Sequence, residues 1–352
     1  GGGTAGHVTP NIALLPALQA AGYEIAYVGS YEGIEKKLIA DFNIPYTGIS
    51  TGKFRRYLDP KNFSDPFRVM KGFVEARNYL KNYQPDVVFS KGGFVSVPVV
   101  RAAASLHIPC IIHESDMTPG LANKLCIPVA EKVCCNFPET MKNIPADKAV
   151  LTGSPIRAEL AQGSRLAGLN MCGFTANKPV IMVIGGSLGA ANVNKAVRDA
   201  LPKLLEDFQV VHLCGKDKID NLLLNTPGYK QFEYIKAELK DIFAMADVVI
   251  SRAGANAICE LLALKKPNIL IPLPAASSRG DQLLNAASFE AQGYSIVLNE
   301  DDITTNLLVD KVHELYFNRQ NYVEAMSRSH QMDAINTIML LINEAANKSH
   351  TQ

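Results

Sequence analysis

Residues 86–93 read DVVFSKGG and residues 247–254 read DVVISRAG, and this repetition decides the fold. Each stretch is a short apolar run that ends in a polar, glycine-containing turn, which is typical of a buried parallel strand that feeds a helix. Each is followed by an apolar helix and, after a proline, by a second strand at residues 109–112 and 267–271. The repeat therefore predicts two α/β halves of similar construction.

Glycine-rich turns extend the same repeat upstream in both halves. Residues 1–6 read GGGTAG and residues 185–190 read GGSLGA, the second directly after an apolar strand at 180–184. Each turn leads through a helix into another strand that ends in glycine, at Gly29 and at Gly215. This order of strand, glycine turn, helix and strand predicts an α/β chain with two Rossmann-like, doubly wound domains that face a cleft.

A strand that ends in turn residues near 152–155 marks the predicted domain boundary. We therefore expect an N-terminal domain over residues 1–157 and a C-terminal domain over residues 158–334. The last segment, about 335–352, has apolar residues at helical spacing, and we expect it to pack back on the first domain as an amphipathic helix. A glycine loop such as residues 1–6 normally follows a buried strand, so we expect the first β-strand of that domain to be missing from this chain.

Composition excludes several classes of function. The chain has 352 residues with 35 basic and 34 acidic side chains, so its net charge of +1 gives no overall field that would attract nucleic acid. Its seven cysteines form no C-x-x-C pair and no metal-ligand spacing, which predicts reduced thiols and a cytosolic protein. No apolar run reaches the length of about 18 residues that spans a bilayer, and no signal peptide precedes the first motif.

The G-x-G-x-x-G pattern of residues 1–6 fits the dinucleotide-binding fingerprint, which also needs an acidic residue at the end of the second strand. Ser30 stands there instead, and Lys216 follows the corresponding strand of the second half, so nicotinamide binding is disfavoured. Glycine still lets the backbone approach a ligand, and a helix N-terminus attracts phosphate. The alternative for each loop is tight strand–helix packing with no ligand.

Residues 251–261, SRAGANAICEL, open a helix with small side chains and place Glu260 about two turns inside it. A carboxylate at that position can accept two hydrogen bonds from the diol of a ribose. The alternative is a partly exposed helical glutamate that pairs with Lys265 or Lys266.

Five motifs occur in the order that one family shows. They are the first glycine loop with His7, HESDMTPGLANK at 113–124, GGSLG at 185–189, the segment 251–260, and GDQLLNA at 280–286. Over nearly its whole length the chain resembles the MurG family of peptidoglycan N-acetylglucosaminyltransferases, in particular those of Gram-positive bacteria. The resemblance implies a GT-B fold and transfer of N-acetylglucosamine from UDP-N-acetylglucosamine to undecaprenyl-pyrophosphoryl-N-acetylmuramyl-pentapeptide (lipid I), which gives lipid II for peptidoglycan synthesis.

The same resemblance implies a peripheral enzyme on the cytoplasmic face of the cell membrane, with a role in cell-wall biogenesis, cell shape and cell division, and with other cell-wall synthesis proteins as candidate partners. It also implies a set of substrate contacts. They are Ser187 and Arg157 at the phosphates, the backbone of Ile235 at the uracil, Glu260 at the ribose, Gln282 with the backbone of Ala255 at the sugar hydroxyls, and Thr4, Ala5 and Gly6 over the sugar and pyrophosphate. Asp116 stands where many members have asparagine, which either removes an amide contact or converts it to a carboxylate contact.

The α-linked donor and the β-linked product of that family require one in-line attack by the acceptor hydroxyl, assisted by one general base. His7 is the first candidate because imidazole titrates near working pH, and its alternative role is only to cap the helix or orient the pyrophosphate. His113 and Glu114, at the end of another strand, are the rivals. No Asp-x-Asp pair is present, so we predict no cofactor and no tightly bound metal; backbone N–H groups and Arg157 would stabilise the leaving UDP.

A basic and aromatic stretch, residues 53–83, distinguishes the first half and carries eight basic against three acidic residues. Phe67, Met70 and Phe73-Val74 fall at helical spacing among these cations, which predicts docking on an anionic membrane surface. The alternative is that the rings pack into their own domain and leave a solvated basic face. Two other functions stay open: a UDP-N-acetylglucosamine 2-epimerase, which needs no membrane face, and a non-catalytic nucleotide-sugar-binding membrane subunit, which needs no base.

Overall fold

The computed structural model describes residues 2–52, 65–185, 190–275 and 280–349. The chain divides into two compact units: unit 1 is residues 1–157 with 333–352, and unit 2 is residues 158–332. In both units apolar strands alternate with helices along the chain, and every described strand pairing is parallel. The expected fold class, two Rossmann-like doubly wound domains, is confirmed.

Unit 1 builds its strands into two separate parallel sheets, β1–β2 and β3–β4–β5–β6. Its described helices and strands are α1 (Ala5–Ala20), β1 (Tyr27–Ser30), α2 (Ile34–Ile39), β2 (Tyr46–Ile49), α3 (Asp65–Tyr83), β3 (Val88–Ser90), α4 (Ser96–Ser105), β4 (Cys110–Glu114), α5 (Leu121–Cys126), β5 (Lys132–Cys135), α6 (Pro138–Met141), β6 (Ala149–Leu151) and, from the chain's end, α14 (Ala334–Ser349).

A gap lies between β1 and β3, which are not paired with each other. It is a cavity of about 180 Å³ with apolar side chains from both sides, among them Leu14, Tyr27, Leu80 and Phe89.

The last helix, α14, packs on unit 1 although it follows unit 2 in the chain. Its Ile338 and Ile342 are buried in one cluster with Leu14 of α1 and Ile111 of β4. The hydroxyl of Tyr23 also donates a hydrogen bond to Asn343 Oδ1 at 2.7 Å. Burial of the apolar stripe that the sequence shows in this helix explains why it belongs to unit 1.

Unit 2 holds one parallel sheet of order β12–β11–β10–β7–β8–β9. Its described helices and strands are α7 (Arg165–Cys172), β7 (Val180–Ile184), α8 (Ala191–Asp207), β8 (Gln209–Leu213), β9 (Tyr229–Phe232), α9 (Leu239–Met245), β10 (Val248–Ser251), α10 (Ala255–Ala263), β11 (Asn268–Leu270), α11 (Asp281–Ala291), β12 (Ser295–Val297), α12 (Thr305–Phe317) and α13 (Arg319–Ser327).

The strand order of unit 2 reverses at β7, which lies between β8 and β10. The loops that follow β7 and β10 therefore leave the same edge of the sheet on opposite sides of this point. Ligands of open parallel sheets bind outside the carboxyl ends of the strands at such a reversal. This topology makes the carboxyl edge of unit 2 its candidate ligand site.

Two negative findings apply to the described residues alone. No helix there is both long enough and apolar enough to cross a membrane. No three His, Cys, Asp or Glu side chains gather there as a metal site would require.

Candidate active site

In unit 1 the first glycine loop enters α1 and brings His7 against a second pair of glycines, Gly92 and Gly93. The two loops touch so closely that a Cβ on Gly93 would lie 2.3 Å from the carbonyl oxygen of Gly2 and 3.3 Å from His7 Nδ1. Only glycine fits at that position, where φ is also +86°. His7 Nδ1 lies 3.0 Å from the hydroxyl of Thr4, which is exposed.

The His7 imidazole is neutral at neutral pH. Burial, followed by the positive charge of Lys91, lowers its pKa to about 4. A neutral ring nitrogen can accept a proton, which is what a general base requires. The predicted candidate therefore has the protonation state that its predicted role needs.

The rival base His113 is fully buried at the end of β4, and both of its ring nitrogens are engaged. Nδ1 lies 2.8 Å from Lys91 Nζ, and Nε2 lies 2.8 Å from the carbonyl oxygen of Gly153. Because an ammonium only donates, Nδ1 accepts from Lys91 and Nε2–H donates to Gly153. Burial and then the charge of Lys91 hold the pKa of His113 well below its usual range. In this arrangement the ring links three segments of unit 1.

The other rival, Glu114, organises the loop that follows β4. Its carboxylate accepts hydrogen bonds from the backbone N–H groups of Asp116 (2.9 Å) and Gly120 (3.1 Å) and from Asn123 Nδ2 (2.8 Å). Only 3% of the residue is exposed. Glu114 thus fixes the backbone position of Asp116, which is half-buried. The carbonyl oxygen of Asp116 also accepts a hydrogen bond from the Thr140 hydroxyl at 3.2 Å.

The predicted donor residues Ala255, Glu260 and Gln282 lie on helices that follow strands at the carboxyl edge of unit 2. Ala255 is the first residue of α10, and Glu260 is half-buried in the same helix. Gln282 is the second residue of α11, and its Oε1 accepts from the backbone N–H of Leu273 at 3.0 Å. The strand order and the positions where α10 and α11 begin therefore bring the predicted ribose and sugar contacts to one edge of the sheet.

Ile235 follows β9 at the same edge and is buried, with 6% of its surface exposed. The adjacent Tyr234 is 60% exposed, an aromatic ring beside the predicted uracil contact that sequence reasoning missed. Arg157 is half-buried and ends the first segment of unit 1. Ser187, the predicted phosphate contact, lies outside the described residues. Of Thr4, Ala5 and Gly6, the last two begin α1.

Lys266, proposed from the sequence as an alternative partner of Glu260, makes a different contact. Its Nζ donates to the carbonyl oxygen of Ala246 at 2.9 Å, just before β10 and thus at the amino edge of the sheet. Burial lowers the pKa of Lys266 to about 8. Lys266 therefore contacts the amino edge of the sheet of unit 2, whereas the candidate donor loops lie at its carboxyl edge.

Sequence reasoning also missed two buried cations, Lys91 and Arg252, which occupy the same position of the internal repeat. Lys91 is 1% exposed and donates to Ser115 Oγ at 2.5 Å as well as to His113. Arg252 is 8% exposed, donates to the carbonyl oxygen of Ile271 at 3.0 Å and forms an ion pair with Glu300. The signal was present in the aligned stretches SKGG and SRAG, where a cation follows the same serine in both halves.

Comparison with known proteins identifies relatives over nearly the whole chain. Residues 1–135 match the glycosyltransferase family 28 N-terminal domain, and residues 180–339 match the C-terminal domain of that family. A protein of Lachnospira eligens named UDP-N-acetylglucosamine--N-acetylmuramyl-(pentapeptide) pyrophosphoryl-undecaprenol N-acetylglucosamine transferase is 64% identical over 98% of this chain and 97% of its own. A Clostridium botulinum protein of the same name is 56% identical with the same coverage.

Solved structures show the same two-domain architecture. The crystal structure of Acinetobacter baumannii MurG has a TM-score of 0.77 and 29% identity, with 97% of both chains covered. A UDP-N-acetylglucosamine 2-epimerase from Listeria monocytogenes, described as putative, has a TM-score of 0.68 at 12% identity over 97% of this chain and 94% of its own. The second likeness concerns the fold alone.

Proposed function

The chain belongs to glycosyltransferase family 28, and on that premise we propose that it transfers N-acetylglucosamine from UDP-N-acetylglucosamine to lipid I. The observation that carries the proposal is the 64% identity, over 98% of the chain, to a relative whose name states this transfer. The resemblance to the 2-epimerase, at 12% identity, supports only a shared fold. We assign the donor to the carboxyl edge of unit 2 and the acceptor to unit 1.

The reaction is a single displacement at the anomeric carbon of the donor sugar. The acceptor hydroxyl attacks this carbon, the bond to the β-phosphate oxygen breaks, and UDP leaves with the electron pair. His7 accepts the hydroxyl proton. The internal hydrogen bonds that already engage both ring nitrogens of His113 and both carboxylate oxygens of Glu114 support His7 over these two rivals. The His7 pKa of about 4 makes this residue a weak base in the free protein, and an anionic acceptor beside the ring would raise that pKa towards working pH.

The donor contacts follow from the chemistry of the residues at the edge of unit 2. The Glu260 carboxylate would accept hydrogen bonds from the ribose diol, and Tyr234 offers a ring face beside the uracil contact at Ile235. Because Gln282 Oε1 already accepts from Leu273, its amide N–H group is the one that would meet a sugar hydroxyl. Arg157 and the backbone N–H groups at the start of α8 would stabilise the charge that develops on the leaving UDP.

The decisive experiment follows radiolabelled N-acetylglucosamine from its UDP donor, with and without a lipid I analogue. We expect label in the lipid fraction and release of UDP only when the acceptor is present. Epimerisation of the donor in the absence of acceptor would instead support the 2-epimerase. Donor binding without turnover by the purified chain would support the non-catalytic membrane subunit.

We also propose that unit 1 docks peripherally on anionic lipid at the cytoplasmic face of the membrane, through α3. Phe67, Met70 and Val74 are 79%, 63% and 52% exposed and form a stripe along this helix. Ala76 and Leu80 form the opposite stripe and are buried in the core of unit 1. The lipid tail of the proposed acceptor stays in the bilayer, which favours an enzyme that binds its surface.

The structure corrects one detail of the predicted docking face. Phe73 packs against the core of unit 1, with the buried stripe, although the sequence placed it with the exposed residues. The cations Arg68 and Lys71 are exposed, as such a surface requires. The part of the basic stretch at residues 53–64 lies outside the described residues.

A further inference from the structure

Two buried and oppositely charged side chains belong to the two segments that enclose His7. Lys91 directly follows β3 and is 1% exposed; Glu35 lies in α2 and is fully buried. Burial of a charged group costs free energy unless hydrogen bonds and other charges compensate for it. Two such charges at one loop therefore need an explanation, and neither is used as a substrate contact above.

Lys91 is fixed from one side. Its ammonium donates to His113 Nδ1 at 2.8 Å and to Ser115 Oγ at 2.5 Å. The next two residues are the glycines on which the His7 ring rests: a Cβ on Gly92 would lie 3.7 Å from His7 Cδ2, and one on Gly93 would lie 3.3 Å from His7 Nδ1. The backbone that carries the lysine is thus in contact with the imidazole.

Glu35 is fixed from the other side. Its Oε1 accepts from the Ser30 backbone N–H at 2.8 Å and from the Ser30 hydroxyl at 2.5 Å, and its Oε2 accepts from the Gly3 N–H at 3.1 Å. A Cβ on Gly2 would lie 2.6 Å from this carboxylate, so the loop rests directly on it. Gly2 in turn lies against Gly93, the glycine beside the ring: a Cβ on Gly93 would meet both the Gly2 carbonyl oxygen and His7 Nδ1. The Glu35 carboxylate therefore fixes the first glycine loop, which packs beside the His7 ring.

We propose that Lys91 and Glu35 are positioning residues that fix the His7 imidazole between two buried, opposite charges and thereby set its protonation. The lysine opposes protonation of the ring, and the glutamate favours it. Both charges are shielded from solvent, so salt screens their effect little. The inference rests on the proposed role of His7 for its meaning in catalysis, but its direct test needs no catalysis.

The pKa values agree with this geometry. Burial has the largest effect on the pKa of His7, Lys91 lowers it further, and Glu35 acts in the opposite direction. Burial alone would raise the pKa of Glu35, but the hydrogen bonds from Ser30 and Gly3 outweigh it and keep the carboxylate ionised. His113 adds no charge, because burial and then the charge of Lys91 hold its pKa well below the usual range.

The experiment measures the protonated fraction of His7 by NMR of chain labelled with ¹³C-histidine, with the signal assigned by its loss in His7→Gln. A pKa of about 4 predicts roughly one tenth protonated at pH 5. Lys91→Met should raise the His7 pKa by about one unit, to about half protonated at pH 5. Glu35→Gln should lower it by a similar amount, to about one hundredth.

Lys266→Met is the matched control, because it makes the same change at a half-buried lysine that belongs to unit 2. It should leave the His7 signal unchanged, and an unchanged His212 signal in all variants verifies that unit 2 is intact. A general structural disturbance would shift the pKa of His7 in the same direction in both test variants. Shifts of the same sign, or no shift in either variant, would overturn the proposal.

Activity gives a second readout that separates this inference from the proposed function. If His7 is the base, the acid limb of kcat against pH moves up in Lys91→Met and down in Glu35→Gln, in step with the NMR values. If the His7 pKa shifts in opposite directions but the kcat profile does not move, Lys91 and Glu35 are positioning residues for His7 and His7 is not the base.

Discussion

At the scale of single residues, the structure explains why three histidines stay neutral. His7, His113 and His212 are all removed from solvent to a degree that lowers their pKa, to about 4 for His7 and about 3 for His212. His212 is bound on both sides, with Nδ1 2.9 Å from the hydroxyl of Tyr229 and Nε2 2.9 Å from Asn194 Oδ1. A buried neutral imidazole that hydrogen-bonds at both nitrogens links segments without adding a charge.

Because these three histidines are neutral in the folded chain, we expect acid to destabilise both units. A histidine whose pKa is lower in the folded chain than its unfolded value of about 6.5 binds protons preferentially in the unfolded state. Its contribution to stability is complete above about pH 6.5 and is lost as the pH falls towards the folded value, at about 1.4 kcal/mol per pH unit for each histidine. Urea denaturation between pH 7 and pH 5 measures this. Replacement of His212 by Gln should flatten the slope, and an unchanged slope would contradict a neutral, buried His212.

The distinction between His7 and its rivals is testable by mutation. His7→Ala should lower kcat by roughly 10²–10⁴-fold, the usual contribution of a general base, with little change in UDP affinity or in melting temperature. Glu114→Ala should act mainly on stability, by about 1–3 kcal/mol, because it leaves buried donors of the loop unsatisfied. Steady-state kinetics and thermal melting of both variants check this. A His7→Ala variant that keeps its kcat but binds UDP less tightly would make His7 a binding residue.

At the scale of secondary-structure elements, α3 has two faces with different partners. Ala76 and Leu80 join the core, whereas Phe67 and Met70 are exposed. We expect the chain to co-sediment with anionic liposomes, less so at high salt, because salt screens the cations. The double change Phe67→Ser and Met70→Ser should weaken binding several-fold further without loss of the fold.

Leu222 provides the control for that measurement, since it is 93% exposed but belongs to unit 2. Leu222→Ser should bind liposomes as the parent chain does. If the α3 double variant also binds as the parent does, at every salt concentration, the contact surface lies elsewhere.

The loops at the carboxyl edge of unit 2 are tied together by the buried ion pair of Arg252 with Glu300. Arg252 also donates to the carbonyl oxygen of Ile271, and Glu300 accepts from Asn192 of α8 at 2.6 Å. Removal of one partner of a buried pair leaves an uncompensated charge, so Arg252→Met should destabilise unit 2 by about 3–5 kcal/mol. Lys195→Met, which breaks the exposed pair with Asp199, should have little effect. If urea denaturation gives the same free energy of unfolding for both variants, the buried pair does not stabilise unit 2.

At the scale of the whole molecule, the chain is two compact units with separate cores, and most of the proposed donor contacts, including those to the uridine, belong to unit 2. A ligand that binds the folded state stabilises the unit that holds it by mass action. UDP at about 100 times its Kd should add about 2.7 kcal/mol to unit 2, or roughly 5–10 °C in its melting temperature, and should stabilise unit 1, which contributes Arg157, to a smaller extent. Differential scanning calorimetry with and without UDP measures both units.

Glu260→Ala is the variant that tests the assignment of the ribose. It removes hydrogen bonds to a charged group, so UDP affinity should fall by about 1.5–3 kcal/mol and most of the thermal shift should disappear. The melting temperature without UDP serves as the control. A full UDP-dependent shift in this variant would remove Glu260 from the donor site.

The sequence by itself determined the features that depend on neighbouring residues in the chain. Apolar runs of strand length that end in glycine turns recur in both halves, and this local pattern defined the strands, the helices that follow them and the two Rossmann-like units. It also placed His7 at the end of the first glycine loop and Glu260 inside α10. These predictions succeed because strand and turn preferences act over a few residues.

Only the tertiary structure decided what the polar residues do, because their environments are built from distant parts of the chain. His113 is kept neutral by its burial and by the charge of Lys91, 22 positions earlier, and its ring also hydrogen-bonds to Gly153, 40 positions later. Glu35 accepts a hydrogen bond from a glycine 32 positions away, and Phe73 packs against the core although Met70 and Val74 of the same helix are exposed. Burial and hydrogen bonding set the charge of such groups, and neither can be read from the spacing of residues along the chain.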